Sequence, residues 1–396
     1  MNRSAHRPRQ LLLSVLRAPH SVLALDGALW DRLIREARCS HLSGHLARLI
    51  DQAGLMDRVP DGPRQHLLSA QRLVAQQLCS VQREIGHIAR ALCPATGHDH
   101  DPDPDRPDSG TAGFALLKGA AYVAAGLPLA QGRLFGDVDI LVPERRLTAV
   151  ESALLLQGWR SDKLDPYDQR YYRDWMHELP PMSHGLRGTA IDVHHSLLPR
   201  TARTALNTPA LFARWRPVQA AVPGQQAAVF VLPPTDMLLH SATHLFHEGE
   251  FDHALRDLVD LDSMLRHFGQ HEPGFWTALV PRAAQLGLSR PLFYALRYTG
   301  RLLATPVPQA VLDGLLPAAP SPLTLRAMDA CWAQVLRPRL QAPGPAHRLA
   351  RTALYLRSHW LRMPTGLLLR HLLRKAWRRL GERVDTAPAS AQAAPR

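Results

Sequence analysis

Long apolar runs are missing from this 396-residue chain. No stretch approaches the roughly 18 apolar residues of a membrane-spanning helix. The basic and then apolar start, "MNRSAHRPRQLLLSVLRAPH", is broken by Arg17 and His20 and reads as the opening of a helix, not a targeting segment. Cysteine is scarce as well. Cys39, Cys79, Cys93 and Cys331 stand apart with no C-x-x-C spacing, which argues against a disulfide framework or a zinc ribbon and fits a reducing, cytoplasmic compartment. Aromatic residues are 6% of the chain. Near the basic C-terminus only Trp360 and Trp377 offer stacking surfaces, so sequence-specific reading of nucleic acid is not indicated. Acids are outnumbered, 34 to 47, and the net charge of +13 is unevenly placed. Between Arg326 and Arg383 there are thirteen lysines and arginines and only two acids, Asp329 and Glu382, so the remainder is nearly neutral.

What is present divides the chain into regions. Residues 1–96 read as an N-terminal helical region, because apolar positions recur three and four apart in "WDRLIREARCSHLSGHLARLIDQAG" and "GPRQHLLSAQRLVAQQLCSVQREIGHIARAL". Residues 97–110, "GHDHDPDPDRPDSG", read as an Asp/Pro-rich solvated linker, since alternating prolines keep its Asp and His side chains from converging on a metal. Residues 111–200 then change period and read as a small α/β core. "GFALLKGAA" is a strand entering a helix, "DVDILVP" is a strand, and "ERRLTAVESALLLQG" is a helix closed by Gly158. "YYRDWMHEL" and "TAIDVHHSLL" follow as an expected strand pair with a turn at 185–188. Residues 201–383 return to helix and are basic from 326, and 384–396 read as a disordered tail. The expected class is α+β, a small mixed sheet between two helical regions.

The chemistry concentrates in "GRLFGDVDILV", residues 132–142. In a strand, residues two apart share a face, so Asp137 and Asp139 lie on one side and Val138 and Ile140 on the other. Two neighbouring carboxylates in a core strand repel unless a cation lies between them. In "TAIDVHHSL", Asp192 and His194 oppose Ile191 and Val193 in the same way. If the two strands are neighbours, three carboxylates converge on one patch. Such a patch suits Mg²⁺, or Mn²⁺, which takes oxygen ligands and completes its shell with substrate phosphates.

Together, "LLKGAA", "GRLFGDVDILV", a helix and "IDVHHSL" resemble the nucleotidyltransferase family of the DNA-polymerase-beta superfamily, in particular a poorly characterised bacterial branch with a helical N-terminal region. The likeness spans roughly residues 10–270 and is most specific over 114–195. It implies a mixed sheet with flanking helices, with Asp137, Asp139 and Asp192 as catalytic metal ligands and Asp192 as a base. It also implies nucleotide contacts at Lys118, Gly119, Arg133 and Gly136, with Gly119 letting the backbone approach a triphosphate. The activity implied is Mg²⁺-dependent transfer of an NMP from an NTP, such as ATP, to an acceptor hydroxyl of a protein, an RNA or a small molecule. One departure stands out: Gly119 is followed by Ala120, where the superfamily usually carries Gly-Ser or Gly-Gly. The rival expectation is therefore a non-catalytic protein that binds a nucleotide or a partner on the same scaffold.

Two further segments carry expectations. In "TDMLLHSATHLFHEGEFDHALRDLVDLDSML", His240, His244 and His247 share one helix face. The segment lacks H-E-x-x-H, and the preferred reading is histidines packed beside the cleft. Arg256, Asp257 and Asp260 follow in an R-D-L-x-D-L segment like that of the resembling family. The basic helix "TGLLLRHLLRKAWRRLGER" would present arginines opposite leucines, suited to RNA phosphates, to an anionic membrane surface met peripherally, or to solvent alone.

Overall fold

The computed structural model describes residues 10–96, 113–218, 229–338, 340 and 344–366. The Asp/Pro-rich stretch 97–110, most of the basic C-terminal helix and the tail 384–396 lie outside the described residues.

Seven short strands form one mixed sheet: β1 Phe114–Leu116, β2 Asp137–Leu141, β3 Trp159–Ser161, β4 Met182–His184, β5 Ala190–His194, β6 Arg216–Val218 and β7 Val229–Val231. Their spatial order is β3-β4-β5-β2-β1-β7-β6. At the centre β2 runs parallel to β5 and antiparallel to β1, while β1 runs parallel to β7. Antiparallel pairs close the two edges. Both faces of the centre are covered, so β1 is buried at every residue, as are Val138, Ile140, Ile191 and Val193.

The sheet departs from the sequence expectation in two places. It reaches Val231, beyond the expected 111–200 core, because β6 and β7 are three-residue strands, too short to display an alternating pattern. "YYRDWMHEL" is not a strand along β5: only its end meets β5, through an antiparallel bridge of Glu178 to His194, and its start is helical. Asp165 caps a helix Pro166–Arg170 by accepting from the amide of Tyr167 at 2.7 Å, and a single wide π-helical turn, Tyr171–Trp175, continues it. Tyr171 and Trp175 meet edge to face with ring centroids 5.9 Å apart, a contact that helical spacing supplies and a strand would not. The antiparallel partner of β5 is β4. Gly158 does close the helix Leu147–Leu156, at φ +94°, a value that a side chain would strain.

The N-terminal helices grip the loops around the central strands. The helix Asp61–Thr96 packs on Ser43–Gln52, on Leu147–Leu156 and on the helix Lys118–Ala124. From it Gln77 donates to the carbonyl of Phe135 and accepts from the Phe135 amide, clamping the loop that enters β2. Two turns further on, buried Glu84 accepts a bidentate pair from Arg187, at 2.9 and 3.0 Å, and so ties down the β4–β5 turn. The C-terminal helices, among them Pro234–His247, Ala254–His271 and Phe275–Leu286, complete one hydrophobic cluster that extends from Leu11 to Leu354. Within it Arg282 is bound at 2.8 and 2.5 Å by the two oxygens of fully buried Asp236. No helix among the described residues is long and apolar enough to cross a membrane.

Candidate active site

The parallel register of β2 and β5 sets Asp139 opposite Asp192, and Asp137 opposite Ala190. Asp137 stands at the exposed mouth of the strand, Asp192 is half-buried and Asp139 is buried. One carboxylate oxygen from each lies within 4.8 Å of the others. The three aspartates therefore do share a patch, as their alternation within two strands requires.

Their charges are treated differently. Lys118 donates to Asp139 Oδ1 at 2.9 Å, and Nε2 of His194 lies 3.0 Å from the same oxygen. Burial alone would raise the Asp139 carboxyl, but the Lys118 ammonium and the His194 hydrogen bond outweigh it and hold the group well below the carboxylate range. Asp192 goes the other way: burial first, then the charge of Asp139, pushes it up to about 7. Among the described residues the ion pairs of this group fall on Asp139 alone. Three all-oxygen donors, two of them without a cation, fit a hard divalent ion, and the elevated Asp192 marks the charge that such an ion would supply.

Lys118 is placed with unusual care. Only three of the 47 basic residues are lysines, Lys118, Lys163 and Lys375. Its φ of +43° puts a non-glycine residue in the left-handed region, a strain of about 1–3 kcal/mol that its surroundings must hold. Burial lowers its affinity for a proton, yet Asp139, then Glu248 and Glu178, keep it charged and raise it well above the usual lysine value. A compact ammonium on a flexible stem fits this position, where a planar guanidinium needs more room.

The other expected nucleotide contacts are positioned less simply. Gly136 is exposed, with open space around it just ahead of Asp137. Gly119 is buried, and a Cβ there would overlap the ring of Phe135, so its lack of a side chain serves packing. Ala120 is only 1% exposed, so a hydroxyl at that position would point into the core instead of meeting a phosphate. Arg133 pairs with buried Asp260 and lies over the rings of Tyr122 and Phe135, 5.4 and 5.6 Å from their centroids. That engagement directs its guanidinium to the helix Ala254–His271 and not to the aspartates. It also gives the R-D-L-x-D-L segment a structural part, with burial raising Asp260 to about 6 against the pull of Arg133.

His240 and His247 are buried and His244 is half-buried on the helix Pro234–His247, and the three do not form a metal-sized group among the described residues. His244 pairs with Glu248, while burial lowers His240 to about 3 and His247 to about 4, keeping both neutral. The sequence reading missed His194 as an Asp139 partner, together with His177, Glu178 and Glu248, which surround it. The signal for His194 was its place two residues after Asp192, on the same strand face. The other three arrive from distant segments and carried no such signal.

No curated protein matches the chain. Residues 111–304, which span all seven strands of the sheet, match a family model described as "Uncharacterised nucleotidyltransferase".

Proposed function

We propose that the protein transfers a nucleoside monophosphate from an NTP to an acceptor hydroxyl, using a divalent cation, Mg²⁺ or Mn²⁺, held by Asp137, Asp139 and Asp192. The observation that carries this reading is the set of three carboxylates within 4.8 Å of one another on two parallel strands in register. The bound cation would supply Lewis acidity and neutralise charge at the phosphates. The chain's own residues do the rest. Asp192, with its pKa near 7, is suited to take the proton of the acceptor hydroxyl as its oxygen attacks the α-phosphorus and pyrophosphate leaves. Lys118 and His194 fix Asp139 in its charged form and in one orientation, and the Gln77 clamp on Phe135 holds the loop from which Asp137 projects. The surplus of positive charge after Arg326 favours a polyanionic acceptor or surface.

The rival reading is a nucleotide-binding protein without transfer, favoured by the packing role of Gly119 and Ala120 at the turn where relatives would meet the triphosphate. The experiment incubates purified protein and cell lysate with each NTP, labelled at the α- or the γ-phosphate, with and without Mg²⁺ or Mn²⁺. Metal-dependent label transfer from the α-position only is the expected result. Saturable NTP binding without any transfer would establish the rival.

A further inference from the structure

Behind the three aspartates lies a second group of donor atoms. The chain at His177 and Glu178 runs beside the end of β5. The amide of Leu179 donates to the carbonyl of Val193 at 2.9 Å, and the amide of His195 to that of His177 at 2.8 Å. This pairing brings one donor atom each of His177, Glu178 and His194 within 4.8 Å of one another. His177 and His194 are 3% and 2% exposed, and Nδ1 of each has no hydrogen-bond partner. A buried polar atom left unpaired costs about 1–3 kcal/mol, and one of these two, His194 Nδ1, lies beside the Glu178 carboxylate.

The distances are informative. His194 Nδ1 lies 3.5 Å from Glu178 Oε2 without hydrogen-bond geometry. The edge of a tetrahedron around an ion with bonds of roughly 2.1 Å is roughly 3.4 Å, so the pair is already spaced as two ligands of one ion. The opposite nitrogen, Nε2, lies 3.0 Å from Asp139 Oδ1. A proton on Nε2, donated to that carboxylate, leaves Nδ1 with a bare lone pair. Metal-binding histidines are commonly oriented in this way, ligating through one nitrogen and donating the other N–H to a carboxylate.

We propose that His177, Glu178 and His194 form a second cation site, for a divalent ion of the Zn²⁺ class, distinct from the aspartate group and joined to it by the His194–Asp139 hydrogen bond. Two imidazoles and one carboxylate select such an ion over Mg²⁺, which prefers oxygen, and three ligands leave a position open for water or substrate. Against the lowering effect of burial, Asp139 and Glu178 raise His194 above the usual histidine value, so an ion bound here displaces its Nδ1 proton. Burial, then the neighbouring His194 charge, hold His177 well below the usual histidine value, so it is neutral as a ligand must be. Burial pushes the Glu178 carboxyl up, as expected where compensating positive charge is short. The proposal does not rest on nucleotidyl transfer, since the site would bind its ion in a protein that only binds nucleotide.

The test uses full-length protein stripped with a chelator. Zn²⁺ binding is measured by competition with a chromophoric chelator, Co²⁺ binding by its visible spectrum, and Mn²⁺ binding to the aspartates by electron paramagnetic resonance. The expected result is one Zn²⁺ or Co²⁺ per chain, with the intense Co²⁺ bands of low-coordinate nitrogen and oxygen ligation. Glu178→Gln and His177→Gln should each weaken Zn²⁺ at least about tenfold while retaining Mn²⁺. Asp137→Asn should retain Zn²⁺ and lose Mn²⁺. Absence of tight Zn²⁺, unweakened Zn²⁺ in both site variants, or loss of Zn²⁺ in Asp137→Asn would overturn the assignment. Should the site variants fail to fold by circular dichroism, the wild-type Co²⁺ spectrum decides: a weak, octahedral all-oxygen spectrum overturns it.

Discussion

Two buried charge assemblies in this molecule are built on opposite plans. In the C-terminal helices Asp236, fully buried, faces Arg282, 3% exposed, and every formal charge there has its counter-charge within the chain. In the sheet, Asp137, Asp139 and Asp192 converge, and their close basic partners among the described residues, Lys118 and His194, both serve Asp139. The first assembly is complete as folded. The second is short of positive charge, with Asp192 raised to about 7 as the sign of it. A balanced buried pair belongs to the fold, whereas an unbalanced one at an opening asks for a ligand.

Substitutions at the two places should therefore fail in different ways. The largest effect is expected at Asp137, a ligand in the proposed metal site that makes no ion pair among the described residues. Asp137→Asn should lower metal-dependent label transfer by at least about a hundredfold while leaving the folded baseline and melting temperature near wild type. Full activity in that variant would remove the aspartates from the mechanism. Asp236→Ala should do the reverse. Stranding Arg282 in the core should cost about 3–5 kcal/mol in urea unfolding, while Mn²⁺ affinity of the folded fraction stays unchanged. A loss below 1 kcal/mol by roughly the same measure would show that water reaches the pair.

Within the aspartate group the same substitution should change sign from one residue to the next. Asp192→Asn removes a charge that burial and Asp139 oppose, so it should raise thermal stability in metal-free buffer. Asp139→Asn strands Lys118 and should lower it. The pH dependence follows from the direction of the Asp192 shift. Its pKa is raised in the fold, so the wild type loses stability relative to Asp192→Asn as pH climbs from about 4 to about 7, with a plateau above. Melting curves of both proteins across that range, with and without Mn²⁺, check this, and Mn²⁺ should reverse the difference. A constant difference at all pH values would place Asp192 in water.

The buried histidines supply a smaller, opposite trend. His240 is lowered to about 3, and His195 and His247 to about 4, in each case by burial first. A depressed folded-state value stabilises the protein above the unfolded value near 6.5 and is lost as pH falls below it. Asp192→Asn, which lacks the opposing aspartate contribution, should display this acid loss plainly, its melting temperature dropping between pH 6.5 and 5. The smallest effect is expected at Gly119. Gly119→Ala should cost about 1–3 kcal/mol through its collision with Phe135, with NTP affinity unchanged if the glycine serves packing alone.

The sequence by itself determined the strands that carry the aspartates and the face on which each lies. An alternation of period two in "DVDILV" and "IDVHHSL" permits no other placement if Val138, Ile140, Ile191 and Val193 are to be buried. It also determined the long helix before them and the glycine that ends Leu147–Leu156, because these are local patterns of spacing and backbone conformation. Tertiary structure alone decided that β2 and β5 are parallel neighbours in the register that sets Asp139 against Asp192. It decided as well that Arg133 belongs to Asp260, that Gly119 makes room for Phe135, and that His177 and Glu178 reach His194. The physical reason is range. Alternation and capping are set by neighbours a few residues apart, whereas the partner of a buried charge is chosen by whichever distant segment the packed core brings within a few ångströms.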